Sequence, residues 1–135
     1  MLGKFQQSHL RLEIPATKEA IANSLLVPAN LSQWLWFFGF PPGLPEKFQP
    51  GFTFTSRLGP LAVHYCVEVA AEDCLRLELS GAIDGHHEWY WGNGWVQSRL
   101  EGISLLPLNL GQTASLLSLR EFLHRQSLPE SRALT

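Results

Sequence analysis

The chain has no excess of basic residues. Lys and Arg number 10 against 12 Asp and Glu in 135 residues, so the formal net charge is −2. A protein that binds a nucleic-acid backbone needs clustered cations to neutralise the phosphates. We therefore do not expect nucleic acid as a partner.

Long hydrophobic runs and cysteines are also scarce. The longest unbroken hydrophobic run, Trp34–Phe38, is far below the roughly 18 residues of a membrane-spanning helix. The first residues carry one cation, Lys4, and no apolar segment of signal-peptide length. Two cysteines, Cys66 and Cys74, cannot make a disulfide scaffold or, alone, a zinc site. We expect a reduced, cytoplasmic protein with no transmembrane segment.

Apolar and aromatic residues, by contrast, are plentiful. Hydrophobic residues make up 45% of the chain and charged ones only 16%, which excludes intrinsic disorder for most of it. The length fits one globular domain, for which we expect the bounds 1–126, followed by a flexible tail over 127–135. Five tryptophans are unusual for a core of this size. They are Trp34, Trp36, Trp89, Trp91 and Trp95.

A strand and two short helices are predicted first. Leu10, Leu12 and Ile14 alternate with polar residues, as in a strand with one buried face. Thr17 is a suitable N-cap for a first helix. Apolar residues at helical spacing then predict a second helix that runs to about Phe38. Prolines and glycines over 39–51 predict a long surface loop.

Antiparallel strands and a terminal helix account for the rest. Turn residues separate the β-forming runs too closely for parallel crossovers. The expected strands are Phe52–Leu58, Leu61–Ala70, Leu75–Ser80, His86–Trp91 and Trp95–Leu105. A helix from about Gln112 to Arg125 follows, with Leu116, Leu119, Phe122 and Leu123 on one face.

The turns predict the strand register. Asn93–Gly94 is a strong two-residue hairpin signal that pairs Trp91 with Val96. A three-residue loop, Ile83–Gly85, is favoured for the preceding hairpin because it keeps the tryptophans inward. The remaining expected pairs are Trp89–Ser98, His87–Leu100, Glu88–Arg99, His86–Glu101, Leu79–Trp89, Leu77–Trp91, Val69–Leu75, Val67–Leu77, Tyr65–Leu79, Cys66–Glu78, Phe54–Tyr65 and Phe52–Val67.

These registers divide the sheet into an apolar and a polar face. The terminal helix is the element long enough to cover the apolar one. The inward residues are expected to be Phe52, Phe54, Ser56, Val63, Tyr65, Val67, Val69, Leu75, Leu77, Leu79, His87, Trp89, Trp91, Val96, Ser98 and Leu100.

This α+β order resembles the helix-grip fold of the START-like (SRPBCC) superfamily, in which a curved antiparallel sheet wraps around a long C-terminal helix and two short helices follow the first strand. The superfamily includes polyketide cyclases, lipid-transfer domains and plant-allergen-like hormone binders. The stretches that carry the resemblance are Ile14–Thr17, Phe48–Phe54, Asp84–Trp89 and Ser118–Leu123. Five strands follow the helices where such proteins usually have six, so either 36–40 supplies a strand or the sheet is shorter.

The resemblance implies an apolar cavity between the sheet and the terminal helix. We expect neither catalytic residues nor a metal or other cofactor there. The ligand-binding residues are predicted to be Phe54, Tyr65, Leu77, His87, Trp89, Trp91, Ser98, Leu119 and Phe122. Trp89 and Trp91 fit equally well as core, and an inward histidine such as His87 is more often a satisfied core residue than a functional one.

Three functions are compatible with this pattern. The first is a binding or carrier domain for a small hydrophobic molecule, such as a lipid, polyketide or pigment. The second is a cyclase or dehydratase that uses His87 and Tyr65 as acid–base groups. The third is a protein-interaction module whose interior is filled by its own side chains.

Two surface features have alternative interpretations. His86, His87 and Glu88 suggest a metal motif, but strand alternation sends His87 to the opposite face. The Trp34–Phe40 region is core, the mouth of the cavity, or a surface for a protein partner or homodimer. Trp95 is expected on the outer face beside a turn.

Overall fold

A computed structural model describes residues 4–35, 38–104 and 107–126. These form a six-stranded antiparallel sheet, two short helices after the first strand and a long terminal helix. In chain order the elements are β1 (Lys4–Glu13), α1 (Lys18–Leu26), α2 (Pro28–Trp34), β2 (Thr53–Leu58), β3 (Leu61–Ala71), β4 (Cys74–Gly81), β5 (Ile83–Gly92), β6 (Trp95–Ser104) and α3 (Leu108–Gln126).

The strands are ordered β1-β6-β5-β4-β3-β2 in a single sheet. The sequence-based α+β architecture is therefore confirmed. β1 pairs with β6, so that Leu10 and Leu12 lie opposite Ser98 and Val96. One isolated bridge, Gly39 to Arg57, extends the sheet beyond β2. Within the described residues, 38–40 contributes this bridge to the sheet and does not form a further strand.

The first two helices begin where their N-terminal residues predict. The Thr17 hydroxyl accepts a hydrogen bond from the Ala20 amide at 3.1 Å, which caps α1. Pro28 opens α2 at a position where its missing N–H costs nothing. The prediction that α2 runs to Phe38 is wrong, because the helix ends at Trp34 and Leu35 leaves the helical conformation. Trp36 lies outside the described residues, as does the expected tail.

The register of the β5–β6 hairpin is confirmed. Gly94 is in the left-handed region with φ +83°, but Asn93 does not have a positive φ. The two-residue turn is therefore not the type I′ that Asn–Gly usually forms, although it gives the same register. Trp91 lies opposite Val96, and the inner pairs Trp89–Ser98 and His87–Leu100 and the outer pairs Glu88–Arg99 and His86–Glu101 are all present.

The expected register of the β4–β5 hairpin is wrong. Leu79 lies opposite Gly85 instead of Trp89, and Leu77 opposite His87 instead of Trp91. The chain turns earlier than expected, at Gly81 with φ +92°, and Gly85 is a strand residue packed against the β6 backbone. The register slips by four residues. Because this number is even, every side chain stays on the expected face of the sheet.

A β-bulge corrects one expected pair in β3. The register with β4 shifts between Val67 and Val69, so Val69 lies opposite Arg76 and Ala70 opposite Leu75. The extra residue reverses the alternation beyond it. Val69, expected inward, is 40% exposed. The pairs Val67–Leu77, Tyr65–Leu79 and Cys66–Glu78 are as expected, and so are Phe54–Tyr65 and the bond from the Val67 amide to the Phe52 carbonyl.

Helix α3 covers the concave face of the sheet and begins four residues before the predicted start, at Leu108. The Leu108 amide, one of the free donors at a helix start, donates to the Gln6 side-chain oxygen at 3.0 Å. Because Gln6 lies on β1, no local sequence pattern indicates this cap. None of the helices in the described part of the chain is long and apolar enough to span a membrane.

Candidate functional site

A cavity lies between the concave face of the sheet and the first turns of α3. The volume of the cavity is about 120 Å³. Most of the wall is aliphatic or aromatic. The lining residues are Leu31, Leu35, Phe38, Phe40, Phe54, Leu58, Tyr65, Leu75, Leu77, Leu79, Ile83, His87, Trp89, Leu100, Pro107, Leu108, Gly111, Gln112 and Ser115.

The predicted ligand-binding residues fall into two groups. Phe54, Tyr65, Leu77, His87 and Trp89 line the cavity together. The others do not reach it. Trp91, Ser98 and Leu119 are buried elsewhere in the interior, and Phe122 packs half-buried against the core from a later turn of α3.

Stacked rings stiffen two walls of the cavity. The Tyr65 ring stacks on Phe54, with centroids 4.6 Å apart, and Phe54 stacks in turn on Phe48. The His87 ring stacks on Trp89 at 4.6 Å, and Trp34 meets Trp89 edge-on. Such contacts hold the rings in fixed orientations. Trp34, 1% exposed, is therefore a core residue that supports the wall from behind.

Gln112 is the centre of the polar network beside the cavity. Its side-chain nitrogen Nε2 lies 2.9 Å from the Ser98 carbonyl, 2.9 Å from Ser98 Oγ and 3.1 Å from the Ser8 carbonyl. A backbone carbonyl can only accept a hydrogen bond, so the Gln112 atom beside the two carbonyls must be the amide nitrogen. This network assigns the orientation of the Gln112 amide. The Gln112 oxygen Oε1 is buried and has no hydrogen-bond partner among the described residues.

His87 extends that network into the cavity. Its Nε2 lies 2.7 Å from Ser98 Oγ. Nδ1 is the ring nitrogen left for another partner: it carries the proton if the Ser98 hydroxyl donates to Nε2, and it is an acceptor if Nε2 donates to the hydroxyl. Burial lowers the pKa of His87 from 6.5 to about 3, so the ring is neutral at physiological pH.

The rest of the polar lining is also uncharged. Tyr65 and Ser56 share a hydrogen bond of 3.0 Å, and burial raises the pKa of the Tyr65 phenol above its usual value of 10.0. The Ser115 hydroxyl is satisfied within α3 by the Gly111 carbonyl. No Lys, Arg, Asp or Glu lines the cavity within the described residues. The wall therefore favours a neutral occupant.

Partly exposed lining residues mark the mouth. Leu35, Phe38 and Phe40 lie on one side, and Pro107 and Gly111 on the other. A side-chain carbon added at Gly111 would meet no atom within 4 Å outside its own helix. Of the alternatives for the Trp34–Phe40 region, its described residues combine core packing at Trp34 with the cavity mouth at Phe38 and Phe40.

Sequence reasoning placed α3 over the cavity but chose the wrong residues on it. Leu119 and Phe122 do not line the cavity, whereas Gln112 and Ser115 do. These two lie on the same helical stripe as Leu116, Leu119 and Leu123, at spacings of three and four residues, and two polar residues on an otherwise apolar stripe were the available signal. Phe38 and Phe40 belong to the Trp34–Phe40 region, for which the mouth of the cavity was one of the interpretations.

The outer face carries a separate charged cluster. Glu68, Glu78 and His86 place ligand-type atoms within 4.8 Å of one another. Arg76 Nε already lies 3.1 Å from Glu68 and its Nη1 lies 3.4 Å from Glu88. A cation of the protein itself thus neutralises Glu68, one of the two carboxylates of the cluster, and we assign the cluster no metal. Trp95, also on this face, is covered by the Arg11 guanidinium at 4.6 Å.

No protein-family model and no curated protein sequence matches the chain. Solved structures do. Ginseng major latex-like protein 151 from Panax ginseng superposes with a TM-score of 0.68 at 11% identity, over 94% of this chain and 100% of that one. The Aha1 dimer from Colwellia psychrerythraea gives 0.64 at 16% identity, over 87% and 96%.

A third similar structure is DynU16, described as a putative protein in the dynemicin biosynthetic locus. Its TM-score is 0.68 at 14% identity, over 87% of this chain and 47% of that one. Identities this low establish architecture and not activity. The chain has the helix-grip fold. In this helix-grip structure the gripped helix is α3, and the cavity lies under its first turns.

Proposed function

We propose that the protein binds a small apolar molecule in the cavity between the sheet and α3. The observation that carries the proposal is the cavity itself, an apolar space that opens at its mouth and has a few fixed polar groups. Ligand sites typically have this composition. A protein-interaction module with a side-chain-filled interior would not need such a space.

The size of the cavity narrows the ligand. An engineered apolar cavity of about 150 Å³ holds one benzene molecule, and the space here is about 120 Å³. The cavity therefore accommodates a molecule of about one ring. Of the ligands suggested by the resemblance, an extended lipid or a polycyclic polyketide would require the Phe38–Phe40 side of the mouth to move outward.

Binding is favoured over acid–base catalysis by the state of His87. An effective general base has a pKa near the working pH, whereas burial lowers the pKa of His87 to about 3. The raised pKa of Tyr65 makes its phenol a weak acid. Neither group is tuned for proton transfer near neutral pH.

The test is the binding of toluene, a neutral ring of the right size. Its affinity is measured by titration calorimetry, and organic extraction with mass spectrometry identifies any molecule that co-purifies. Toluene should raise the melting temperature in a concentration-dependent way, because it binds only the folded state. No toluene binding together with an empty extract would overturn the proposed function.

A matched pair of variants tests whether toluene binds in this cavity. Ser115 is buried, lines the cavity and bonds only within its own helix. In Ser115→Leu the longer side chain enters the empty space, so toluene affinity should fall at least tenfold. Ser115→Ala, which adds no volume, is the control and should bind toluene as the natural protein does. Equal toluene affinity in both variants would mean that toluene binds elsewhere.

A further inference from the structure

The cavity holds one polar atom that has no partner within the described residues. His87 Nε2 is paired with Ser98 Oγ, so Nδ1 is the ring nitrogen left over, as a donor in one tautomer and an acceptor in the other. Among the described residues Nδ1 makes no hydrogen bond, and it keeps some accessible surface. Since His87 lines the cavity, Nδ1 is available to an occupant.

From this atom we propose that the ligand is an uncharged single-ring compound with a hydroxyl group that hydrogen-bonds to His87 Nδ1. A hydroxyl both donates and accepts, so it pairs with Nδ1 in either tautomer. This inference rests on the proposed function and specifies its ligand. Ser98 Oγ at 2.7 Å and the stacked Trp89 ring hold His87 in place, so Nδ1 has a fixed position in the wall.

A charged ligand is disfavoured by the same wall. No ionised side chain lines the described part of the cavity, and an unpaired charge in an apolar interior is costly. Moreover, His87 stays neutral at physiological pH because burial lowers its pKa to about 3. An anion would find one neutral histidine ring and no cation.

The experiment compares phenol, toluene and benzoate by titration calorimetry at pH 7. Phenol and toluene have the same size and shape and differ in a hydroxyl and a methyl group. In a purely apolar cavity toluene binds better, because phenol loses the hydration of its hydroxyl. We expect phenol to bind at least as tightly as toluene, and benzoate to bind at least tenfold more weakly than phenol.

Each result decides something different. Toluene binding more tightly than phenol would overturn this inference but leave the proposed function intact. Benzoate binding as tightly as phenol would overturn the neutral-ligand part. Failure of all three compounds to bind would overturn the proposed function itself.

A variant ties the preference to His87. His87→Phe removes Nδ1 and keeps a ring on Trp89, so the ratio of phenol to toluene affinity should fall at least tenfold. Thr113→Ala, at an exposed position of α3, is the control, and its ratio should not change. If His87→Phe folds with an unchanged ratio, the inference is wrong. If it does not fold, the phenol and toluene affinities of the natural protein decide the inference.

Discussion

The two ends of the interior differ, although β5, β6 and α3 contribute to both. At the closed end, defined by Ile21, Leu25, Trp91, Val96 and Leu119, each of these side chains is 0–2% exposed. The cavity end is defined by Leu77, His87, Leu100, Leu108 and Gln112, which surround empty space. On β5, β6 and α3 the two ends are separated by only a few residues.

The comparison shows what keeps one end open. Helix α1 packs against β5 and α3 and covers the closed end, where the α3 residue is an aliphatic Leu119. At the cavity end α3 presents Gln112 and Ser115, and the cover is the Phe38–Phe40 side of the mouth. A buried polar side chain held by hydrogen bonds cannot collapse inward as an aliphatic one does. Space therefore remains beside it.

The largest expected effect compares two leucines of the same helix. Leu119→Ala removes a fully buried side chain at the closed end, whereas Leu108→Ala truncates one that already borders empty space. Such truncations cost about 2–5 kcal/mol, depending on how closely the removed atoms were packed. We expect the free energy of unfolding in urea to fall more for Leu119→Ala. Equal losses would show that the two ends are packed alike.

Gln112→Leu should have the next largest effect. The substitution removes the donor that Ser98 and Ser8 share, and a buried group left without its partner costs about 1–3 kcal/mol. Thr113→Ala, one residue away and exposed, is the matched control for urea unfolding. A Gln112→Leu protein as stable as the control would mean that the network does not hold α3 to the sheet.

The pH dependence of stability tests the burial of His87. Because burial lowers its pKa in the folded state to about 3, the unfolded chain takes up the proton first as pH falls below about 6.5. The folded state should thus be favoured fully above that pH and lose up to about 1.4 kcal/mol per pH unit below it.

Urea unfolding at pH 7, 6 and 5 measures this loss. The His87→Phe variant keeps the other four histidines, so the difference between the two proteins isolates the ring. Parallel stability curves for the two proteins would show that His87 is not shielded from water.

The smallest expected effect is a gain in stability from a substitution at the mouth of the cavity. Gly111 is helical and a carbon added there meets no atom within 4 Å outside its own helix. Gly111→Ala should stabilise the protein by up to about 1 kcal/mol through helix propensity, measured as a higher melting temperature. A loss of stability would show that the mouth is narrower than the structure indicates.

Sequence reasoning identified residues of the sheet that line the cavity, but on α3 it chose Leu119 and Phe122 in place of Gln112 and Ser115. Strand alternation places Tyr65, Leu77, His87 and Trp89 on one face. The wrong β4–β5 register did not change this assignment, because a slip by an even number of residues, here four, leaves every side chain on its face. It failed at Val69, where a bulge inserted one residue and reversed the alternation. A bulge has no signature in the alternation itself.

What the amino-acid sequence determines by itself is local: alternation along the strands, the Asn93–Gly94 turn, the Thr17 cap and the apolar stripe of α3. Each depends on residues near one another in the chain. The tertiary structure decides what depends on distant residues. Gln6 of β1 caps α3, Gln112 meets Ser98 and through it His87, and α1 covers one end of the interior only. The cavity exists because those long-range contacts fill one end and leave the other open.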